Sequence, residues 1–348
     1  MAPRMVPSAL SSPLRPLWQP LPLPVSLRLD RPSLDGRSFG REGHNRNSLA
    51  FAAILGGAAS AQLRSTRRCT HTSRTSSAVL AKCIADSNAD VLEGLKVTDS
   101  HFCHGWTIAQ LQEGYRYCAD DILCAHLAVR SAPGAKRMLD MGSGIGTIGL
   151  SWLAQQPRPF RQKACTMLEA QSVSVALCRR TLRTCQIEDS VDLRHGDLRE
   201  TLTLESIGGN FDVVTANPPY FTREGGVHPS HSQRAHCRHE LRGGVLEFCQ
   251  AAATQLAPDG HFCIIHAAPR VPDVLRALET CGFCIRQRVN VFFRGNCKSV
   301  AFVCKLEAHE GTANAHAGAS VAEEKIEVQD ADGTWSPGYV DICRKMGL

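Results

Sequence analysis

From residue 136 onward, short apolar runs alternate with stretches whose apolar residues recur at helical spacing. Lys136–Met141 (KRMLDM) predicts a strand that carries Asp140 near its end, and Gly142–Gly149 predicts a glycine-rich turn. Ile145–Gln155 has the spacing of a helix and stops before Pro157. Ala164–Leu168, closed by Glu169, predicts a second strand, and Gln171–Thr184 a helix. Val191–Arg194 predicts a third strand, followed by Gly196-Asp197. Phe211–Ala216 (FDVVTA) predicts a fourth, running into Asn217-Pro218-Pro219-Tyr220. Val245–Leu256 reads as a helix ended by Pro258-Asp259-Gly260, and His261–His266 as a fifth strand. A helix over Pro272–Cys281 precedes two further strands, Cys284–Phe292 and Ser299–Lys305. Such alternation implies an α/β fold, a mainly parallel sheet with helices on both faces. Ligands of these sheets bind beyond the carboxyl ends of the strands, which is where Asp140, Glu169, Asp197 and Asn217 fall.

The first 85 residues break the pattern. Eight prolines lie within the first 32, and Arg and Ser dominate. With 12 basic residues against 3 acidic ones, this segment carries +9, whereas residues 86–348 hold 27 basic and 30 acidic ones, a net −3. The chain's overall +6 therefore belongs to its leader. An Arg-rich, Ser-rich, acid-poor leader has the composition of a transit peptide, so an organelle, plastid or mitochondrion, is the expected location. A basic RNA-binding arm or an extension without function are the rival readings. The composition, 43% hydrophobic and 21% charged, is that of a globular chain. The longest apolar run, Leu49–Leu63, is too short and too rich in Ala and Gly to span a membrane. The 16 cysteines are scattered, and Cys281–Cys284 is a CxxC without a second pair or paired histidines at zinc spacing. Reduced, structural thiols and no metal are expected. The organisation read from the chain is a leader over 1–85, a catalytic domain over 86–307, a small-residue linker over 308–322 and a tail over 323–348 that returns to the domain.

Two motifs carry the chemistry. Asp140-Met141-Gly142-Ser143-Gly144-Ile145-Gly146 is D-x-G-x-G-x-G between a strand and a helix. Gly142, Gly144 and Gly146 allow positive φ and close backbone approach to a ligand. Gly144-x-Gly146-x-x-Gly149 also satisfies the dinucleotide fingerprint, and Glu169 can bind ribose hydroxyls under either reading. S-adenosylmethionine has a cationic sulfonium and an amino group, which a carboxylate at position 140 suits better than it suits a pyrophosphate. Asp197 is placed to accept from an adenine amino group, or simply to cap the next helix.

The second motif is Asn217-Pro218-Pro219-Tyr220. The two prolines fix φ near −65° and donate no hydrogen bond, making a rigid turn past a buried strand. The Asn217 side-chain carbonyl and the Pro218 backbone carbonyl can then converge as two acceptors for the two N–H bonds of an exocyclic amine or carboxamide. Holding both hydrogens draws a delocalised nitrogen towards tetrahedral geometry and raises its nucleophilicity. Tyr220 can stack on the planar target, as in pockets that receive flipped bases.

With these motifs the chain resembles the class I S-adenosylmethionine-dependent methyltransferases of the amino-methylating type, which carry (D/N/S)PP(Y/F). Gly114-Tyr115-Arg116-Tyr117 with Asp120-Asp121, and Arg238-His239-Glu240-Leu241-Arg242, are similar to segments of the bacterial family that N6-methylates adenosine 37 of a valine tRNA. The tail from Ile326 to Tyr339 is similar to that family's terminal strand and turn. The resemblance covers about residues 95–307 and 323–348, and departs at Ala235-His236-Cys237 and in the long linker. It implies a Rossmann-like, seven-stranded, mostly parallel sheet, S-adenosylmethionine as cofactor, Tyr115 as part of the cofactor pocket, and tRNA as substrate of a monomer.

Residues 213–305 hold 11 basic and 6 acidic residues, a local +5, whereas residues 86–212 hold 13 and 16. Arg223, Arg238 and Arg242, together with Arg234 and a cluster of histidines, follow Tyr220 and are candidate RNA-phosphate contacts, or a solvated loop and helix face. Competing readings are a glutamine-N5 methyltransferase of release factors, which shares Asn-Pro-Pro-Tyr, a silent RNA-binding subunit, and a dehydrogenase. Residues 86–135 leave little room for the helical recognition domain of the first. The set Asp140, Glu169, Asp197 and Asn217 argues against the second, and the third leaves Asn217–Tyr220 unexplained.

Overall fold

In a computed structural model, residues 91–223, 225, 232–307 and 321–348 are described. The readings for residues 1–85, for 308–320 of the linker, and for the part of the histidine cluster at His228 and His231 lie outside the described residues.

The strands form where apolar runs were expected: β3 (Met138–Met141), β4 (Cys165–Glu169), β5 (Val191–His195) and β6 (Phe211–Ala216). Every residue of β3 and β4 is buried, which explains their continuous rather than alternating apolar pattern. β7 (Leu256–Ala267), β8 (Phe283–Phe293), β9 (Asn296–Leu306) and β10 (Ala322–Gln329) complete one sheet in the order β10-β8-β9-β7-β6-β3-β4-β5. Within it β9 alone runs against its neighbours. The sheet thus has eight strands rather than seven. The tail supplies the eighth, whose buried Ile326 and Val328 alternate with exposed Glu323 and Glu327 while its backbone pairs the otherwise open edge of β8. A separate antiparallel pair, β1 (Val97–His101) and β2 (Thr107–Leu111), precedes the sheet.

The helices are α1 (Ala119–Ser131), α2 (Thr147–Ala154), α3 (Ser172–Cys185), α4 (Thr201–Ile207), α5 (Ser232–Arg238), α6 (Val245–Gln255), α7 (Val271–Thr280) and α8 (Pro337–Lys345). Two apolar clusters flank the sheet. One collects Ile122, Leu123, Trp152 and Leu177 from α1, α2 and α3. The other collects Ile207, Phe248, Val274 and Leu278 from α4, α6 and α7. Two boundaries differ from expectation. α6 stops at Gln255, and β7 starts at once and runs through Pro258–Gly260, with an irregular register against β6. Residues 97–131, where no element was expected, hold β1, β2 and the 13-residue α1.

β4, β3 and β6 are consecutive in the sheet and parallel, so their carboxyl ends set Glu169, Asp140 and Asn217 in a row. The chain order reverses here, β4 and β5 lying to one side of β3 and β6 and β7 to the other. That is the switch point where ligands of open α/β sheets bind.

Candidate active site

The glycine loop is braced from beneath. Asp140 is 0% exposed, its Oδ1 accepting from Thr215 Oγ1 at 2.8 Å and its Oδ2 from the Gly149 N–H at 3.1 Å. Burial pushes its carboxyl up to about 7, against the pull of those two hydrogen bonds. Where a carboxylate facing the cofactor was expected, both oxygens are taken up inside the fold, one by Thr215 of β6 and one by Gly149 in the first turn of α2. Gly142, Gly144 and Gly146 all have positive φ. At Gly146, with φ +89°, a Cβ would stand 2.9 Å from Cys178 Sγ, so the start of α2 packs too closely for any side chain. At Gly144 a Cβ would meet nothing within 4 Å, leaving open space above the loop for a ligand.

Glu169, at the end of β4, accepts from the Gly144 N–H at 2.8 Å and from the Gln171 N–H at 2.7 Å. Burial raises its carboxyl above the ordinary value. Asp197 departs from its expected part. Arg199 grips both its oxygens, Nε to Oδ1 at 2.9 Å and Nη2 to Oδ2 at 2.7 Å, and the Arg199 N–H adds a third bond. These bonds hold the Asp197 carboxyl below its usual range. Its side chain caps no helix, since the N-cap of α4 is Glu200; among the described residues it is held by Arg199 alone.

The Asn217–Tyr220 turn is held by two consecutive acids in the first turn of α1. Asn217 Nδ2 donates to Asp121 Oδ1 at 2.7 Å. Asn217 Oδ1 is buried and meets no hydrogen-bond partner among the described residues. The Tyr220 hydroxyl donates to Asp120 Oδ2 at 2.8 Å, and Ser299 Oγ donates to Asp120 Oδ1 at 2.7 Å. One side of the Tyr220 ring packs on His266 of β7, centroids 5.0 Å apart. Burial pushes Asp121 up to about 6 and raises Asp120, while it depresses His266 to about 4, so that histidine is neutral. Pro218 is buried and Pro219 half-buried within the turn.

Tyr115 joins the same cluster. Its hydroxyl reaches Asp121 Oδ2 at 3.4 Å, and its N–H donates to Gln233 Oε1 at 2.7 Å. Buried Gln233 also donates to Ser174 Oγ at 3.2 Å, pinning α5 against α3 and residue 115. The arginines separate. Arg223 is exposed and donates to the Leu241 carbonyl at 3.4 Å, while Arg238 is half-buried over the Phe221 ring at 5.5 Å. Arg242 reaches instead to the carbonyl of Ala170, beside Glu169, where its charge partly offsets the rise that burial imposes on Glu169. Among the described residues no group of three or more His, Cys, Asp and Glu side chains could hold a metal.

Sequence reasoning missed Gln233, His266 and Ser299, and gave Asp120 and Asp121 no bond to the Asn217 turn. Tandem acids opening a helix were the one available signal for the last two.

The residues present fit S-adenosylmethionine: open space at Gly144, the Ser143 hydroxyl buried without a hydrogen-bond partner among the described residues, and Glu169 at the rim of the loop. Residues 118–279 match the family described as "Methyltransferase small domain". A tRNA1(Val) (adenine(37)-N6)-methyltransferase of Porphyromonas gingivalis is 29% identical over 46% of this chain and 61% of its own length. One from a Flavobacteriaceae bacterium is 23% identical over 68% of this chain and 92% of its own. The chain thus spans under two thirds of the first relative and most of the second. Among solved structures, a predicted O-methyltransferase from Agrobacterium tumefaciens superposes with a TM-score of 0.45 at 14% identity, covering 66% of this chain and 97% of that one. Strand order, glycine loop and the match over residues 118–279 point the same way: this chain is similar to the S-adenosylmethionine-dependent methyltransferases through a methyltransferase small domain.

Proposed function

We propose that this chain methylates the exocyclic N6 amine of an adenosine in tRNA. The observation that carries the reading is the Asn217 amide, whose nitrogen is committed to Asp121 while its oxygen remains a buried acceptor without a partner among the described residues. Buried acceptors are rarely left unpaired in folded proteins, and an amine hydrogen is a partner of the right kind. The adjoining Pro218 carbonyl would accept the second hydrogen, and Tyr220, backed by His266, would offer its remaining ring face to the base. Gly142, Gly144, Gly146 and Glu169 would hold S-adenosylmethionine, whose sulfonium would supply the methyl group and leave as the neutral thioether while the amine gives up a proton. Asp120 and Asp121 keep Tyr220 and Asn217 at fixed positions, so the acceptor nitrogen is oriented before transfer, which is where much of the rate of such reactions arises. That both relatives named above are tRNA adenine-N6 methyltransferases, and that residues 213–305 carry a local +5, support RNA over protein as the substrate.

The test supplies the full chain with labelled methyl donor and, in separate reactions, unmodified total tRNA and release factor. Label in tRNA is the expected result. Label in release factor would assign the same turn to glutamine chemistry instead.

A further inference from the structure

The two oxygens of Asp121 have different partners. Oδ2 accepts from the Cys118 N–H at 3.0 Å and lies 3.4 Å from the Tyr115 hydroxyl, whereas Oδ1 accepts from Asn217 Nδ2 at 2.7 Å. A primary amide has one donating and one accepting end of nearly equal shape. A half-turn of the Asn217 side chain would exchange them and present two donors to the reacting amine in place of an acceptor. An ionised carboxylate only accepts, so it admits just one of the two orientations. We propose that Asp121 is the positioning residue that sets the Asn217 amide with its oxygen towards the substrate, and that the first turn of α1 is thereby a working part of the transfer site. The inference rests on the reading of Asn217 given above.

The neighbouring acid repeats the arrangement. Asp120 receives the Tyr220 hydroxyl on Oδ2 and Ser299 on Oδ1. Consecutive residues on one helix turn thus hold the first and last members of the Asn217–Tyr220 motif, and Ser299 of β9 anchors the pair to the sheet. The half-buried Asn217 and the buried Asp121 form this bond across 96 positions of sequence.

The geometry yields an unusual expectation for the isosteric variant. In D121N the backbone N–H of Cys118 cannot turn round, so the new amide must face it with oxygen. Its NH2 then points at Asn217, which must rotate to accept, and the substrate meets the wrong end. D121A removes the constraint and lets Asn217 sample both orientations. The double variant D121N/N217D restores the polarity: the amide at 121 donates to a carboxylate at 217, whose second oxygen faces the substrate.

The experiment measures turnover of full-length protein with labelled methyl donor and unmodified total tRNA, and donor affinity by calorimetry. D121N is expected to lose on the order of 10²-fold in kcat, the scale for an electrostatic group lost from a transfer site, with donor affinity unchanged. D121A should lose less than D121N, and the swapped pair should exceed both single variants. A D121N as active as D121A or more so, or a swapped pair no better than D121N, would overturn the inference. If D121N shows no cooperative melting, the swapped pair is judged against D121A, and turnover at or below it contradicts the proposal. N217A separates the two levels: wild-type turnover there removes the reading of Asn217 itself, whereas loss in N217A beside full activity in D121N removes only the role of Asp121.

Discussion

Asp140 shows how a single buried acid can serve a site without facing it. Burial raises its carboxyl from 3.8 to about 7, so the folded protein binds a proton there that the unfolded chain releases. Stability from this group is therefore complete below the unfolded value and is lost as pH rises through about 7. Asp140→Asn, which carries no charge, should gain in melting temperature relative to the wild type between pH 5 and pH 8. A constant difference across that range would show that Asp140 does not titrate as its burial implies. The residue types at the strand ends were legible in the sequence because a parallel sheet puts ligand contacts there. Their partners were not. The Thr215 and Gly149 bonds of Asp140, the Arg199 grip on Asp197 and the reach of Arg242 to Ala170 depend on side-chain directions that no spacing encodes. The Asp121–Asn217 bond joins positions 96 residues apart in the chain, beyond any local pattern.

At the scale of elements, β3, β4 and β6 were legible because strands buried on both faces read as unbroken apolar runs. α1 was not, since nearly all of Asp121–Ala128 is buried and the polar stripe that marks an amphipathic helix is missing. β1 and β2 mix Thr, Ser, Gln and Asp with few apolar residues, and their pairing was equally hidden. The tail was visible as a strand but not as the eighth of the sheet. Its attachment depends on Ser336, whose Oγ donates to the Glu327 carbonyl and accepts from the Tyr339 N–H at 3.1 Å, capping α8. Ser336→Ala should cost about 1–2 kcal/mol, the scale of a lost N-cap, read as a fall in the midpoint of chemical unfolding. An unchanged midpoint would mean that α8 is held by its apolar face alone. By contrast, the Arg130–Glu324 pair that also fastens the tail has both side chains at least 33% exposed, and screening leaves such pairs little net worth.

For the whole molecule, charge is a matter of placement. The net −3 over residues 86–348 gives no general attraction to nucleic acid, and the local +5 of residues 213–305 must supply it. Arg223, exposed just beyond the Asn217 turn, is the arginine best placed for a phosphate contact. Arg223→Ala should weaken tRNA binding and lower the slope of log affinity against log salt by about 1, the signature of one lost phosphate contact, while donor affinity stays constant. An unaltered slope would place the RNA elsewhere. The central claim is that Asn217 holds the amine of an adenosine during transfer. Single-turnover methylation of unmodified total tRNA by the wild type and by Asn217→Ala, with nucleoside analysis of the product, tests it most directly. The account predicts N6-methyladenosine from the wild type and a rate about 10²–10³-fold lower in the variant, at unchanged donor affinity. A different methylated nucleoside, or an undiminished rate in Asn217→Ala, would contradict it.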